Sequence, residues 1–573
     1  MKRLITILFI VLTNLVFAQE KSNSIKVDQL GYFPQSQKIA LVPGEIKGEF
    51  QLHDATTGKV VFQSTLSKPK KWKYANEVVA IADFSSFRKE GTYYITTTNS
   101  DTKKSFNFEI NNKVYQSLAK AGWEAFYFAR VSTSIEEKYA GKYARPAGHP
   151  DDKVIVHKSA ASKTRPKGTI LSSPGGWYDA GDYNKYIVNS GITTFTLLHL
   201  VDLYPDYVKE YALNIPENKN EIPDIIDEIL YNLKWMISMQ DPYDGGVYHK
   251  LTDKNFSAHI MPHLAVTPRY VVQKSTPAAL NLASVCAKAS RVLKPWNKEL
   301  NGFADSCLIV AKNAFAWAEN HPKVYYKQPK DINTGEYGDV RLADEFAWAS
   351  IELFLATNDD KYIQSNLDQV FIYNVPSWPK TGTLGVYDLL LNSDYTSDKI
   401  KRLTIFKGFM TEADSLYDRY ENAAYKVSLS KFEWGSNGHG LNEGMLLLMA
   451  YKITGQIKYL QASEAVLHYI NGLNPLNICY VTGFGSKSPM HIHDRRSDSD
   501  DIPGPIPGYI VGGPNDKSGE DCGMQAYKYK EAAIRYLDKE CSYSTNEIAI
   551  NWSAPLAFMV AAIQIENERL NRK

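Results

Sequence analysis

The chain has 573 residues, of which 44% are hydrophobic and 22% charged, a normal globular composition that excludes wholesale disorder. This length is too great for one ordinary domain and predicts two or more. The formal net charge is only +2 and no basic stripe runs along the chain, which argues against nucleic acid or an anionic membrane as a partner.

The first segment, MKRLITILFIVLTNLVFAQ, has the features of a secretory signal peptide. A short basic region precedes an apolar run over residues 4–17, and Ala18 completes a small-residue cleavage site. The run is short for a membrane anchor, which needs ~20 apolar residues. No cysteine lies at the cleavage point and no second long apolar run follows. We therefore expect residues 1–18 to be removed, and the mature protein to be secreted or periplasmic with no membrane span.

Residues 24–112 alternate between apolar and polar side chains, as strands do. Segments such as KIALVP, EFQLHD, KVVFQS and TYYITTT are separated by the turn-prone ATTGK and RKEG. Short strands at this spacing predict a small β-sandwich.

From residue 115 the apolar period becomes helical. In EIPDIIDEILYNLKWMISMQ the apolar residues recur at i, i+3, i+4 and i+7, and STPAALNLASVCAKASRVL opens with a capping serine and a proline in the first turn. Other helical segments lie at 116–131, 187–204, 303–319, 344–356, 402–425, 441–453, 459–471 and 552–566. The pattern predicts an all-helical domain over 115–570 with about twelve helices. Antiparallel pairs in this number can close into a ring, although periodicity alone does not establish one.

Three places carry side chains suited to chemistry. GGWYDAGDYNKY holds Asp179 and Asp182, which fit a turn, a calcium loop or a proton-transfer pair, although the ligand spacing of an EF-hand is missing. HIHDRRSDSDD, in a long loop over 474–530, fits a solvated charged loop or a calcium site. YSTNEIAINWSAPLAF holds Glu547 before an apolar helix, where an acidic residue is most often a favourable N-terminal charge.

Together these places favour a glycoside hydrolase, because glycosidic bonds are cleaved by a pair of carboxyl groups. Trp177 and Tyr543 are aromatic side chains next to the candidate acids and are expected to contact a sugar. The chain has no G-x-S-x-G elbow, no H-E-x-x-H, no P-loop and no dinucleotide fingerprint, so the main alternative enzyme classes lack their required motifs.

At these residues the sequence resembles family 9 of the glycoside hydrolases, the cellulase family built on an (α/α)6 barrel. GGWYDAGDYNKY is similar to the catalytic-base motif, while STPAALNLASVCAKASRV and DEFAWASIELFLATND are similar to barrel helices. FEWGSNGHGLNEGMLLLMAY, GLNPLNICYVTGFGSKSP and YSTNEIAINWSAPLAF resemble the C-terminal blocks. IKVDQLGYFPQSQKIALV resembles the immunoglobulin-like domain of one subgroup. The resemblance, over about residues 24–566, implies a multidomain chain: an immunoglobulin-like β-sandwich followed by an all-α (α/α)6-barrel catalytic domain.

The resemblance also implies a role for each candidate. Asp182 matches the general base, Asp179 the companion that helps position the attacking water, and Glu547 the general acid. His493 and Arg495 match the loop that holds the sugar at the cleavage point. The acid has to stay protonated and the base ionised, so their surroundings are expected to push the two pKa values apart. We expect Arg495 to lie near Asp179 and to favour the charged carboxylate there.

One position departs from the family pattern. Many members carry a second histidine where this chain has Asp494, and a His-Asp-Arg form is similar to that of members with the N-terminal sandwich.

The five cysteines form no C-x-x-C pair, which argues against a cysteine-based zinc site. Cys286 and Cys307 lie in apolar helical runs and are expected to be packing residues. Cys522 and Cys541 resemble a cysteine pair of some family members, which implies a disulfide. The family's chemistry needs no cofactor, but calcium is common in it, so a structural calcium is compatible with the resemblance; its ligands are not assigned.

The resemblance implies an inverting mechanism, in which acid and base lie ~6.5–9.5 Å apart so that a water fits between them. We expect a monomeric endoglucanase that cleaves β-1,4 bonds in cellulose-type or related β-glucans. The alternatives are an exo-acting or different-sugar member, such as a xyloglucanase or an exo-β-glucosaminidase, and a catalytically inactive carbohydrate-binding protein. The presence of all three acidic residues argues against the last.

Overall fold

The computed structural model describes residues 24–98, 104–364, 373–397 and 399–571. The predicted signal peptide, residues 1–18, lies outside the described residues. Within them, strands are followed by a much larger helical part, as the change in apolar period indicates.

The N-terminal strands form two facing sheets. They are β1 (Gly31–Tyr32), β2 (Ile39–Pro43), β3 (Glu49–Asp54), β4 (Val60–Thr65), β5 (Lys70–Trp72), β6 (Glu77–Asp83), β7 (Gly91–Thr97) and β8 (Phe108–Ile110). One sheet has the order β1-β8-β7-β3-β4 and the other β2-β6-β5. Alternate side chains, such as Phe50 and Leu52 on β3 and Ala80 and Ala82 on β6, are buried in one core between them. The predicted β-sandwich is confirmed.

The helices begin directly after the sandwich. They are α1 (Gln116–Ala129), α2 (Glu137–Ala140), α3 (Ile187–Leu203), α4 (Pro205–Glu210), α5 (Asp224–Ser238), α6 (Thr276–Val292), α7 (Phe303–Asn320), α8 (Ala343–Thr357), α9 (Lys361–Gln364), α10 (Gly382–Leu391), α11 (Arg402–Asn422), α12 (Ser436–Thr454), α13 (Ile457–Ile470), α14 (Arg495–Ser499), α15 (Tyr543–Asn546) and α16 (Ile550–Asn571). Every predicted helical segment is confirmed. The helix α10 was not predicted individually, because the two glycines in GTLGVYDLLL lower its helix propensity.

Six helices contact one another in a closed series. The helix α3 packs against α16 and α6, α6 against α8, α8 against α10, α10 against α12, and α12 against α16. Most helices of this series are buried on nearly all sides. The helices α7 and α11, which are not part of the series, expose one face. Buried helices therefore lie inside and amphipathic helices outside, as expected when one layer covers another.

A small sheet within the helical part was not predicted. It contains β9 (Val154–Val156), β10 (Ile170–Leu171), β11 (Lys185–Tyr186), β12 (Lys250–Thr252) and β13 (Tyr270–Val271), in the order β10-β9-β13-β12-β11. Strands of two or three residues are too short to show an alternating pattern. The strand β11 continues the candidate stretch GGWYDAGDYNKY directly into α3, so this sheet anchors the loop that carries the two aspartates.

The sandwich docks onto the helical part through buried side chains. The rings of Trp72 and Tyr425 lie 4.4 Å apart between centroids. One carboxylate oxygen of Asp28 accepts hydrogen bonds from the Tyr115 hydroxyl at 2.6 Å and from the Asn471 amide at 3.2 Å. Apolar and polar contacts together join the two parts.

Among the described residues, no helix is both long and apolar enough to cross a membrane.

Candidate active site

The stretch Gly175–Tyr186 forms a buried loop. The backbone N–H of Asp179 donates to the carbonyl of Asn184 at 3.1 Å and closes it. A Cβ atom on Gly181 would lie 2.2 Å from the carbonyl oxygen of His493, so only glycine allows this approach. The glycine between the two aspartates is therefore required by the contact with the histidine loop.

Hydrogen bonds join this loop to the two other predicted segments. The Arg495 guanidinium donates to the carbonyl of Gly181 at 2.7 Å, and the N–H of Ile550 donates to the carbonyl of Asp179 at 2.9 Å. The N–H of His493 donates to the carbonyl of Asn546 at 2.9 Å. As a result, six predicted site residues line one cleft of about 970 Å³: Asp179, Asp182, His493, Arg495, Tyr543 and Glu547.

The carboxylate of Asp182 is held by one oxygen only. Its Oδ2 accepts from the Asn184 amide at 2.5 Å and from the Tyr186 hydroxyl at 3.1 Å. Its Oδ1 is buried and accepts no hydrogen bond from any described residue. A buried carboxylate oxygen is costly without a partner, so Oδ1 is the natural acceptor for a group in the cleft.

Both oxygens of Asp179 are engaged by protein groups. Oδ1 accepts from the Asn189 amide at 2.6 Å, and Oδ2 accepts from the Tyr337 hydroxyl at 2.8 Å. Burial and the neighbouring Asp182 raise the pKa of Asp179 to about 8. Since two adjacent carboxylates resist ionising together, the pair carries less than two full negative charges near neutral pH.

Glu547 lies in the same cleft in a different environment. Burial raises the pKa of its carboxyl group well above the usual range, and Asp182 and Asp179 act in the same direction. The charge of Arg495 lowers the Glu547 pKa and only partly opposes these effects. A carboxyl group held in this way keeps its proton and is able to donate it.

The charge of Arg495 therefore acts mainly on Glu547, and the expected pairing with Asp179 does not form. Besides Gly181, its guanidinium binds the carbonyl of Ser257 at 2.8 Å, so it fixes two loops around the cleft.

His493 is oriented by its backbone surroundings. Its Nδ1 donates to the carbonyl of Glu540 at 2.7 Å, and burial lowers the pKa of the imidazole. A neutral ring with a protonated Nδ1 presents Nε2 as an acceptor. Asp494, at the departure from the family pattern, caps α14 by accepting from the N–H of Ser497 at 3.2 Å.

Three aromatic residues that line the cleft were missed by the sequence reasoning: Tyr337, Trp378 and Trp434. The ring centroids of Trp434 and the predicted Tyr543 lie 5.4 Å apart, and those of Tyr337 and Trp378 lie 5.1 Å apart. Trp434 is 53% exposed. The three missed residues are scattered along the chain, so no local motif marks them. Trp552, in the same segment as Glu547, also lines the cleft.

Comparison with known proteins identifies the family. Residues 115–560 match Glycosyl hydrolase family 9, and residues 20–102 match the Cellulase N-terminal ig-like domain. The chain belongs to glycoside hydrolase family 9. The predicted glycoside hydrolase with an N-terminal immunoglobulin-like domain is thereby confirmed.

The relatives of this family 9 enzyme include a xyloglucan-specific endo-β-1,4-glucanase of Bacteroides ovatus. The two sequences are 40% identical over 557 residues, and the alignment covers 95% of this chain and 94% of the relative. Endoglucanase D of Acetivibrio thermocellus is 31% identical over 96% of this chain and 84% of its own. Among solved structures, a Bacteroides ovatus family 9 protein superposes with a TM-score of 0.89 at 39% identity, covering 95% of this chain and 99% of its own. These relatives support the predicted function, endo-acting hydrolysis of β-1,4-glucans.

The prediction that Trp177 binds substrate is wrong. Its side chain is fully buried, its indole N–H donates to Glu228 at 2.8 Å, and its ring packs 4.7 Å from that of Phe126. Adjacency in sequence to the catalytic loop did not place it in the cleft, because the backbone turns the ring into the core.

The predicted disulfide between Cys522 and Cys541 is confirmed. It closes a loop directly before Tyr543, and the carbonyl of Glu540 in that loop orients His493. Cys286, Cys307 and Cys479 are free and buried, as expected of packing residues.

Asp339, Asp344 and Glu345 are buried carboxyl groups that lie near one another. Burial, Asp344 and Asp339 raise the pKa of Glu345 well above its usual range. Oδ2 of Asp339, Oε2 of Glu345 and the hydroxyl of Thr381 are buried without a hydrogen-bond partner among the described residues.

Two other groups contain imidazole. His199, Asp202 and Asp388 lie close together, but the Lys288 ammonium already binds Asp202 at 3.0 Å and supplies the positive charge. His259, Asp498 and Glu540 form a more exposed group beside His493. Neither matches an all-oxygen calcium site.

Proposed function

We propose that the enzyme hydrolyses β-1,4-glucosidic bonds within β-glucan chains and inverts the anomeric centre. Asp182 acts as general base, Asp179 helps to place the water, and Glu547 acts as general acid. One observation carries this proposal: Asp182 keeps a buried acceptor oxygen with no hydrogen-bond partner among the described residues, while burial raises the pKa of Glu547 in the same cleft.

On the base side, the Asn184 and Tyr186 donors fix the position of the Asp182 carboxylate. Oδ1 is then free to accept a proton from a water that attacks the anomeric carbon. Asp179 is fixed by Asn189 and Tyr337, so its position relative to that water is rigid.

On the acid side, Glu547 gives its proton to the leaving glycosidic oxygen. The new O–H bond forms on the departing sugar while the C–O bond breaks, and Glu547 is left as a carboxylate. Arg495 is the cation that stabilises this charge.

Sugar binding is assigned to His493, Arg495 and Tyr543, with Trp434 and Trp378 as additional platforms. Aromatic rings offer large apolar faces, which suit the apolar faces of glucose rings. Trp378, Trp434 and Tyr543 line the same cleft of about 970 Å³.

The relative from Bacteroides ovatus is named for xyloglucan, which makes this branched β-1,4-glucan the preferred candidate substrate. The alternatives are unbranched cellulose-type glucan, an exo-acting or amino-sugar specificity, and a binding protein without activity. A panel of soluble polysaccharides and oligosaccharides, with products sized over time, separates them. Early products of intermediate length indicate endo action, and release of single units from the start excludes it.

We also propose that the closed series of helix contacts is an (α/α)6 barrel. The predicted boundaries, 24–112 for the sandwich and 115–570 for the barrel, are retained, as are a monomeric state, export by the signal peptide and a structural calcium whose ligands are not assigned.

The roles are tested with Asp182→Asn and Glu547→Gln. Each is expected to lower kcat on an unactivated glucan by ~10²–10⁴-fold, the usual contribution of a positioned acid or base. On an aryl glycoside whose leaving group needs no proton, Glu547→Gln is expected to recover much of its rate and Asp182→Asn is not. Equal behaviour of the two variants on both substrates contradicts the assignment.

Inversion has its own measurement. Proton NMR of the first products from a β-linked substrate is expected to show the α-anomer. An initial β-anomer excludes the proposed stereochemistry.

A further inference from the structure

Lys250 is a fully buried lysine beside the two aspartates, and the proposed mechanism assigns it no role. Its ammonium donates to the Gln328 side chain at 3.1 Å, to the Thr334 hydroxyl at 3.0 Å and to the carbonyl of Gly335 at 2.5 Å. On β12 it lies directly opposite Tyr186 of β11. A buried charge is costly, so a lysine in this place needs a reason.

One chain of hydrogen bonds runs from Lys250 to the base. Thr334, bound by the ammonium, contacts the Thr252 hydroxyl at 2.6 Å, and Thr252 donates to Oδ1 of Asn184 at 2.9 Å. The N–H of Asp253 also donates to that Oδ1 at 2.9 Å, which fixes the orientation of the amide. The amide nitrogen of Asn184 therefore points to Asp182.

A second connection runs through the loop over 334–337. Lys250 binds the carbonyl of Gly335, and His249 binds the carbonyl of Glu336 at 3.1 Å. This loop carries Tyr337, which donates to Asp179 and has a left-handed backbone at φ 48°. A non-glycine residue in that region is strained and persists only when its surroundings hold it.

We propose that Lys250 is a positioning residue that fixes both catalytic aspartates. Through Thr334, Thr252 and Asn184 it orients Asp182, and through the 334–337 loop it orients Asp179. This inference rests on the proposed function of the aspartates.

Lys250 is also linked to the base by charge. Asp182 and Glu336 are the carboxylates that act on the lysine. Burial lowers the pKa of Lys250 to about 7, and these two carboxylates raise it.

The test compares Lys250→Met, Lys250→Arg and a matched control, Lys38→Met. Lys38 is also fully buried and its ammonium also binds carbonyl oxygens, including that of Pro34 at 2.8 Å, but it lies in the sandwich. Each variant is measured for unfolding temperature and for kcat and KM as a function of pH.

Lys250→Met is expected to lower kcat by up to about 100-fold with little change in KM, because displaced catalytic groups cost about this much. Lys250→Arg keeps hydrogen-bond donors at this position and is expected to recover much of kcat, and Lys38→Met is expected to lower only the unfolding temperature.

Thr334→Val keeps the lysine and breaks the hydroxyl chain, so it tests the proposal if Lys250→Met does not fold. It is expected to lower kcat with little change in KM. The proposal is overturned if a folded Lys250→Met keeps the wild-type kcat, or if Thr334→Val keeps the wild-type kcat. If Asp182→Asn is itself active on glucan, the proposed function fails instead.

Discussion

At the scale of single residues, the feature that makes Glu547 useful also makes it costly to the fold. A buried acid with a raised pKa stabilises the folded state only while it is protonated. That stability is present below the unfolded pKa, about 4.5, and is lost as the pH rises toward the higher folded value. Glu547→Gln is therefore expected to unfold at a higher temperature than wild type at pH 7. Its free energy of unfolding is expected to be larger by the order of 1–3 kcal/mol. Calorimetry at pH 4 serves as the control, since the two proteins should converge there.

The raised pKa of Glu547 also sets the upper limit of the pH range in which the enzyme is expected to be active. As the pH rises through the Glu547 pKa, the acid loses its proton, so kcat/KM on an unactivated glucan is expected to fall above neutral pH. Glu547→Asp shortens the side chain but keeps an acid, so it should retain a basic limb, whereas Glu547→Gln should lose it. A profile on glucan whose basic limb is the same in Glu547→Gln would point to another acid.

The sequence points to the residues proposed to carry the chemistry but not to most of those that line the cleft walls. Asp179, Asp182 and Glu547 belong to long motifs that can be recognised in the sequence alone. Tyr337, Trp378 and Trp434 are isolated in sequence and come together only through the fold. Trp177 shows the converse. It lies in the same segment as the two aspartates, as predicted, but its side chain is buried in the core instead of facing the cleft.

At the scale of elements, the loop closed by Cys522 and Cys541 supports the wall that carries Tyr543. The Tyr527 hydroxyl contacts Ser542 at 2.6 Å within it. Replacing both cysteines by serine is expected to lower stability by ~3 kcal/mol and to raise KM for long substrates several-fold, with kcat nearly unchanged. Steady-state kinetics on glucans of increasing length measures this effect. Cys479→Ala, a buried free cysteine, is the control and should affect stability alone.

The predicted elements were those with a clear period. Helices of many turns and the sandwich strands alternate over enough residues to be recognised, whereas β11 and β12 contain two and three residues. Those short strands nevertheless carry Tyr186 and Lys250, because a single pair of backbone bonds is enough to fix a side chain beside a catalytic group.

At the scale of the whole molecule, the sandwich acts as a brace on the helical part. Trp72→Ala removes a large buried ring at the junction and is expected to cost ~3–5 kcal/mol. Because Trp72 is not one of the residues that line the cleft, kcat at 25 °C should remain close to wild type while the unfolding temperature falls. Phe50→Ala, inside the sandwich core, is the comparison: a similar loss from both shows that the two parts unfold together.

The bond between Arg495 and the carbonyl of Gly181 joins positions 314 residues apart. Contacts of such long sequence separation form late, since the intervening chain must first be ordered. Helical signal is therefore expected to return early during refolding, while turnover returns only with the final docking of the distant loops. In this enzyme the recovery of activity therefore reports the last step of folding. A chain can have almost the native helical content while it is still inactive.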